Sequence, residues 1–171
     1  MQRSITAIAG LALLAGCNSS GADQQAAAAK PEKPDCTSVD VQPTYNGFSS
    51  AAIADLADKR VQMMQAGGSD AAAWDEGAKT FATYFLDQIG MKPDALCPGN
   101  YKAIQTLMGA EMDFESRAPD KAVLPEDKTA DYIRILYSTA GLSEDRGEDA
   151  LDTKVQQTME GVARTRESWN K

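Results

Sequence analysis

The chain has 171 residues, 25 of them acidic and 17 basic, with no histidine and a net charge of −8. The lack of histidine excludes His-based triads and most catalytic zinc sites, and removes the commonest general base. The acidic balance speaks against nucleic-acid binding, because phosphate contacts need a basic surface.

The chain opens with a single positive residue, Arg3, followed by an apolar run from Ile5 to Leu14 that only Thr6 and Gly10 interrupt. Ten residues of helix span about 15 Å, whereas a bilayer core needs roughly 20 apolar residues. The run suits the h-region of an export signal rather than a spanning helix. It ends in Leu14-Ala15-Gly16-Cys17. This stretch resembles the lipobox of bacterial lipoproteins: a Leu, two small residues that let a peptidase grip extended backbone, and an obligatory Cys. The resemblance implies a signal peptide over residues 1–16, cleavage before Cys17, and a thioether from the Cys17 thiol to diacylglycerol. The full modification is a multi-chain acyl anchor, with palmitate as a typical chain, and it holds where a single chain would not. In that family an Asp after the Cys retains the protein in the inner membrane. The residue here is Asn18, so the outer membrane, facing the periplasm, is favoured. An ordinary cleaved signal with an incidental cysteine is the alternative. The resemblance covers 17 residues and carries no information about the folded domain, for which no family is recognised.

Residues 17–35 read as the lipidated Cys and a flexible tether. Small and polar residues dominate there, and Pro31 and Pro34 forbid a continuing helix. As a coil the segment would average about 23 Å end to end, with a stretched limit near 60 Å. Residues 36–171 are expected to form one domain by length. Cys36 and Cys97 are the only cysteines after Cys17. In an exported chain such a pair is expected to form a disulfide, with a chain-entropy stabilisation of at most about 4 kcal/mol.

The domain reads as helical. Ser49 and Ser50 are N-cap types, followed by Ile53, Leu56, Ala57, Val61 and Met64 at helical spacing. Gly67-Gly68 stops this helix, and Ser69-Asp70 recaps at once, which predicts a tight helical hairpin. A second stripe carries Trp74, Ala78, Phe81, Ala82, Phe85 and Ile89, and ends at Gly90. Pro98 is placed at the N1 position of a third helix, with Ala103, Ile104, Leu107, Met108 and Met112 on its apolar face. Pro119 and Pro125 bracket a loop. A fourth stripe holds Tyr132, Ile133, Leu136, Tyr137 and Ala140, closed by Gly141, and the last holds Leu151, Val155, Met159, Val162 and Trp169. No segment alternates like a strand. The expected fold class is all-α, an irregular bundle of about five helices behind a disordered N-terminal tether. The methionines and aromatics are assigned to the core by their helical phase.

Negative charge is concentrated in residues 111–152, which hold 12 acidic against 5 basic residues. Glu111 and Glu115, four apart on one helical face, should repel slightly. Glu144, Asp145, Glu148, Asp149 and Asp152 gather at the start of the last helix, where the helix dipole favours anions. The seven residues are also a candidate docking face for a basic partner, with salt-sensitive steering. Residues 143–149 lack the spacing and Gly position of an EF-hand loop. No metal and no cofactor are expected.

Glu115-Ser116 is similar to the Glu-Ser pair of lytic transglycosylases, helical enzymes in which the Glu is a general acid. The downstream Gly-Ala and Gly-Leu-Met-Gln elements of that family are missing here, where Arg117-Ala118-Pro119-Asp120 follows. No apolar pocket is evident to raise the pKa of such an acid. No catalytic residue is assigned, although Glu111, Asp113 and Glu115 are where a catalytic pocket would be sought. The leading expectation is a non-enzymatic, membrane-anchored module that binds another envelope protein, as an assembly factor or an immunity-type inhibitor. The alternatives are a peptidoglycan-active hydrolase and a carrier holding a small ligand between helices.

Overall fold

Ser49 starts the first helix: its side-chain oxygen accepts a hydrogen bond from the Ala52 N–H at 3.1 Å, satisfying a donor that a helix N-terminus leaves open. In the computed structural model, which describes residues 45–97, 99–142 and 150–169, this helix is α1, Ser50–Gly67. The two glycines at its end do different jobs. Gly67 is buried, and a Cβ there would lie 3.1 Å from the Trp74 Cα, so its bareness lets α1 close on the next helix. Gly68 takes a φ of +46° and returns its N–H to the Met64 carbonyl, a conformation that costs glycine little. Asp70 then caps α2, Ala71–Gln88, accepting from the N–H groups of Ala72 and Ala73 at 2.9 and 3.1 Å. The expected hairpin is present.

The third helix, α3, is Tyr101–Arg117 and begins later than the expected start at Pro98, which itself lies outside the described residues. Asn100 sets the start, its side chain accepting from the Ala103 N–H at 3.1 Å. A short 3-10 turn at Asp120–Ala122 occupies the loop between Pro119 and Pro125. The fourth helix, α4, is Glu126–Ala140, and α5 is Ala150–Trp169. Gly141 ends α4 with a φ of +109°. A Cβ at Gly141 would come within 2.8 Å of the Asp94 backbone. That approach exists because the α2–α3 connection is tied to the end of α4. The Asp94 N–H donates to Thr139 O at 3.1 Å and the Leu96 N–H to Ala140 O at 2.7 Å.

Helix α1 packs on α2, α2 on α4, α4 on α5 and α5 on α3, with the 3-10 turn against α1. All described residues fall in one compact unit. None of them is in a strand, and the described residues form an all-α bundle of five helices. The core is aromatic at its centre. Phe81 lies 5.6 Å from Tyr132 and 6.4 Å from Phe114 by ring centroids, and Phe85 lies 5.6 Å from Phe48 and 6.2 Å from Phe114. Such tilted and edge-on pairs add to the burial energy of the rings. Leu56, Leu86, Leu107 and Leu136 fill the space around them without exposed surface. Val61, Met64, Met108 and Met159, expected in the core, lie half-buried at its margin. Among the described residues no helix is long and apolar enough to cross a membrane.

Candidate functional site

Helix α1 buries Ile53, Leu56, Ala57, Arg60, Met63 and Gly67. The spacing is regular, so the helix carries an arginine into the core with its apolar stripe. The Arg60 side chain has no exposed surface. Its guanidinium carbon lies 4.3 Å from the Phe114 ring centroid, 4.8 Å from Tyr132 and 5.3 Å from Phe81, so aromatic faces replace water around the cation. Helix α3 supplies the counter-charges. Arg60 donates through Nη2 to Glu111 at 2.8 Å and through Nη1 to Glu115. Glu115 also accepts from Arg166 of α5 at 3.2 Å. Arg166 reaches the Thr129 hydroxyl of α4 at 3.4 Å. One charge cluster therefore joins α1, α3, α4 and α5.

This overturns part of the sequence reading. The expected repulsion between Glu111 and Glu115 is present, but the acidic docking face expected to include them is not formed by these two residues. They are buried, 1% and 0% exposed, and converge on one guanidinium, so neither is available to a partner. The reason is their helical phase: positions 104, 107, 111, 114 and 115 form the buried face of α3. Asp152 is at the surface, paired with Arg134 at 2.6 Å, an exposed pair of small energetic worth. Glu144, Asp145, Glu148 and Asp149 lie outside the described residues, as do Cys17 and Cys36. Cys97 is fully buried. Among the described residues no group of three or more acidic, Cys or His side chains is arranged to hold a metal ion.

Burial prevails at two members of the cluster, Glu111 and Tyr132. It pushes the Glu111 carboxyl up to about 7, against the attraction of Arg60 and with help from Glu115. The apolar surroundings not evident in the sequence are thus present, but around Glu111. Burial disfavours the Arg60 cation, yet the two carboxylates outweigh it and hold the guanidinium above its ordinary value. Burial, then Glu111, raise the Tyr132 hydroxyl well above its ordinary value. Arg60 Nε, Glu111 Oε2, Tyr132 OH and Arg166 Nε are buried polar atoms with no hydrogen-bond partner.

Asp113 has a separate task on the outer side of α3. It accepts from the Tyr45 hydroxyl at 2.6 Å and the Phe48 N–H at 3.0 Å. Arg117 donates to Phe48 O at 2.7 Å. Burial raises the Asp113 carboxyl, but bonds from Phe48, Tyr45 and Arg117 prevail and hold it below its ordinary value. The clasp fixes the first described residues to α3, leading into the Ser49 cap. Glu111, Asp113 and Glu115 therefore do not converge on a common pocket. Two are sealed in the core and the third holds the entering chain.

A surface feature that the periodicity did not show lies on α2. A hollow of ≈ 500 Å³ between α1 and α2 is lined by Met63, Ala66, Ala73, Gly77, Phe81 and Tyr84, with Lys59 and Glu76 among its polar neighbours. A second hollow, ≈ 540 Å³, is lined by Thr80, Thr83, Tyr84, Asp87, Met91 and Lys92. The two share Thr80 and Tyr84, so they adjoin along α2 and make up a furrow in two parts, with Tyr84 between them. From Ala73 to Asp87 the helix advances about 21 Å. The Tyr84 hydroxyl donates to Asp55, and Lys59 lies 5.6 Å from the Tyr84 ring centroid, so the middle of the furrow is held by contacts to α1.

No protein-family model, no curated protein and no solved structure matches the chain.

Proposed function

We propose that this chain is an exported lipoprotein, anchored through Cys17, whose helical domain is a non-enzymatic module that holds a segment of another envelope protein. The observation that carries the reading is the furrow along α2. It is concave, mostly apolar where Met63, Ala66, Ala73 and Phe81 line it, and its α2 lining from Ala73 to Asp87 spans about 21 Å, which suits the apolar face of a short partner helix. Its charges balance, with Lys59 and Lys92 against Glu76 and Asp87. An amphipathic segment of mixed charge fits it better than a strongly basic one. On the anchor side, residues 17–35 would serve as a tether, and a Cys36–Cys97 disulfide would secure the domain where the tether ends.

Site-specific photo-crosslinking in cells tests the reading. A photoreactive residue at Thr80, in the furrow, should trap a discrete envelope partner, and one at Gln156 on α5 should not. Equal trapping at both positions, or none at Thr80, contradicts it. A small-ligand carrier is a second reading, favoured by the ≈ 500 Å³ hollow, a size within the range of ligand pockets. Native mass spectrometry of the purified chain would show a retained small mass in that case.

A further inference from the structure

Two glutamates share one arginine in the core, but they do not share it equally. Glu115 is held by both Arg60 and Arg166. Glu111 has one cation, Arg60, through Oε1, and its Oε2 has no hydrogen-bond partner. Glu111 is therefore the carboxylate whose negative charge is least compensated, in a position 1% exposed. A buried carboxylate with one bare oxygen and a second carboxylate near it gains most by taking up a proton.

We propose that the Arg60–Glu111–Glu115–Arg166 cluster is a proton-binding site in the core, with Glu111 as its acceptor. The ionisable groups around Glu111 come from each packed element. Arg60 faces it from α1, Glu115 from its own helix, and Tyr132 and Tyr137 from α4. Arg166 of α5 acts through Glu115, and α2 contributes the Phe81 ring against Arg60. Protonation on Oε2 removes the opposition between Glu111 and Glu115. It leaves Glu115 as the charged carboxylate, held by Arg60 and Arg166.

Burial places the Glu111 carboxyl at about 7, against 4.5 for an ordinary glutamate. Between those values the folded chain keeps a proton that the unfolded chain has released. Stability contributed by this site is full below the unfolded value and is lost as pH rises through the folded one. The stability contributed by this site thus grows on mild acidification, the reverse of the behaviour of an ordinary ion-paired carboxylate.

The test is denaturant unfolding of the full chain from about pH 8 to about pH 5, for wild type and Glu111→Gln. Relative to Glu111→Gln, the wild-type folding constant should rise by on the order of 50- to 100-fold over that span. A ratio that does not change with pH overturns the proposal. If Glu111→Gln fails to fold, carbon-13 NMR of glutamate-labelled wild type decides. One buried carboxyl resonance titrating near neutrality supports the site, and ordinary titration of every glutamate removes it.

Discussion

Arg60 and Glu111 meet at 2.8 Å across α1 and α3, with side chains 0% and 2% exposed. The charge that α1 buries is matched only by residues 51 and 55 positions further along. Neither helix can be packed on the other out of register without stranding an ion in the core. Removing one partner of such a pair typically costs about 3–5 kcal/mol. Arg60→Ala should therefore lose about that much by urea unfolding at neutral pH. Replacing Arg60, Glu111 and Glu115 together with Met, Met and Leu should be neutral or stabilising by about 1–4 kcal/mol. A triple variant as unstable as Arg60→Ala would show that the cluster itself stabilises the fold.

The Asp113 clasp should matter locally. Asp113→Ala leaves the Tyr45 hydroxyl and the Phe48 N–H without their acceptor. A loss of about 1–2 kcal/mol is expected, discounted for partial exposure, with faster amide exchange at Phe48. The Asp113 carboxyl is held below its ordinary value. Its contribution is present above the unfolded value and is lost as pH falls through the lower, folded one. This acid-side loss lies below the window in which Glu111 acts, so the two are separable by pH.

Gly141 meets two demands at once, a φ of +109° and backbone 2.8 Å from where a Cβ would sit. Gly141→Ala should cost about 2 kcal/mol or more and should loosen the Asp94 and Leu96 bonds to α4. Amide exchange at Leu96 checks this, and an unchanged melting temperature would contradict it.

The helix boundaries were legible because they are written locally. Ser49, Asp70 and Gly141 cap or stop helices through their own side chain or backbone, and each stripe repeats at helical spacing. The start of α3 was misplaced because Pro98 and Asn100 both mark helix starts, and the Asn100 side-chain bond decides between them. The buried cluster was not found because its members are paired across the chain. The signal was present: Arg60, Glu111 and Glu115 each occupy a stripe position, where a solvated charge does not belong. The stripe taken through Val61 and Met64 passes beside Arg60 and Met63, which are the buried positions, and the acidic excess around 111 and 115 suggests a surface. The furrow is a property of how α1 and α2 lie together, and no local pattern encodes it.

The anchor and the disulfide make separable predictions. Cys17→Ser should leave the domain folded and release it from the membrane fraction, and continued retention would contradict the anchor. Cys36→Ser/Cys97→Ser should lower stability by up to about 4 kcal/mol, with no comparable effect of reductant on the variant. Free thiols at both positions in unreduced wild type would contradict the pairing.

The most direct test of the binding account is to fill the furrow in the full chain with Ala66→Trp/Thr83→Trp, two exposed positions that line it, and to measure the partner recovered with it from cells. The account predicts an unchanged melting temperature and at least about a tenfold loss of recovered partner, the size of effect that a lost 1.4 kcal/mol of binding produces. Undiminished recovery by a folded, furrow-filled chain would contradict it.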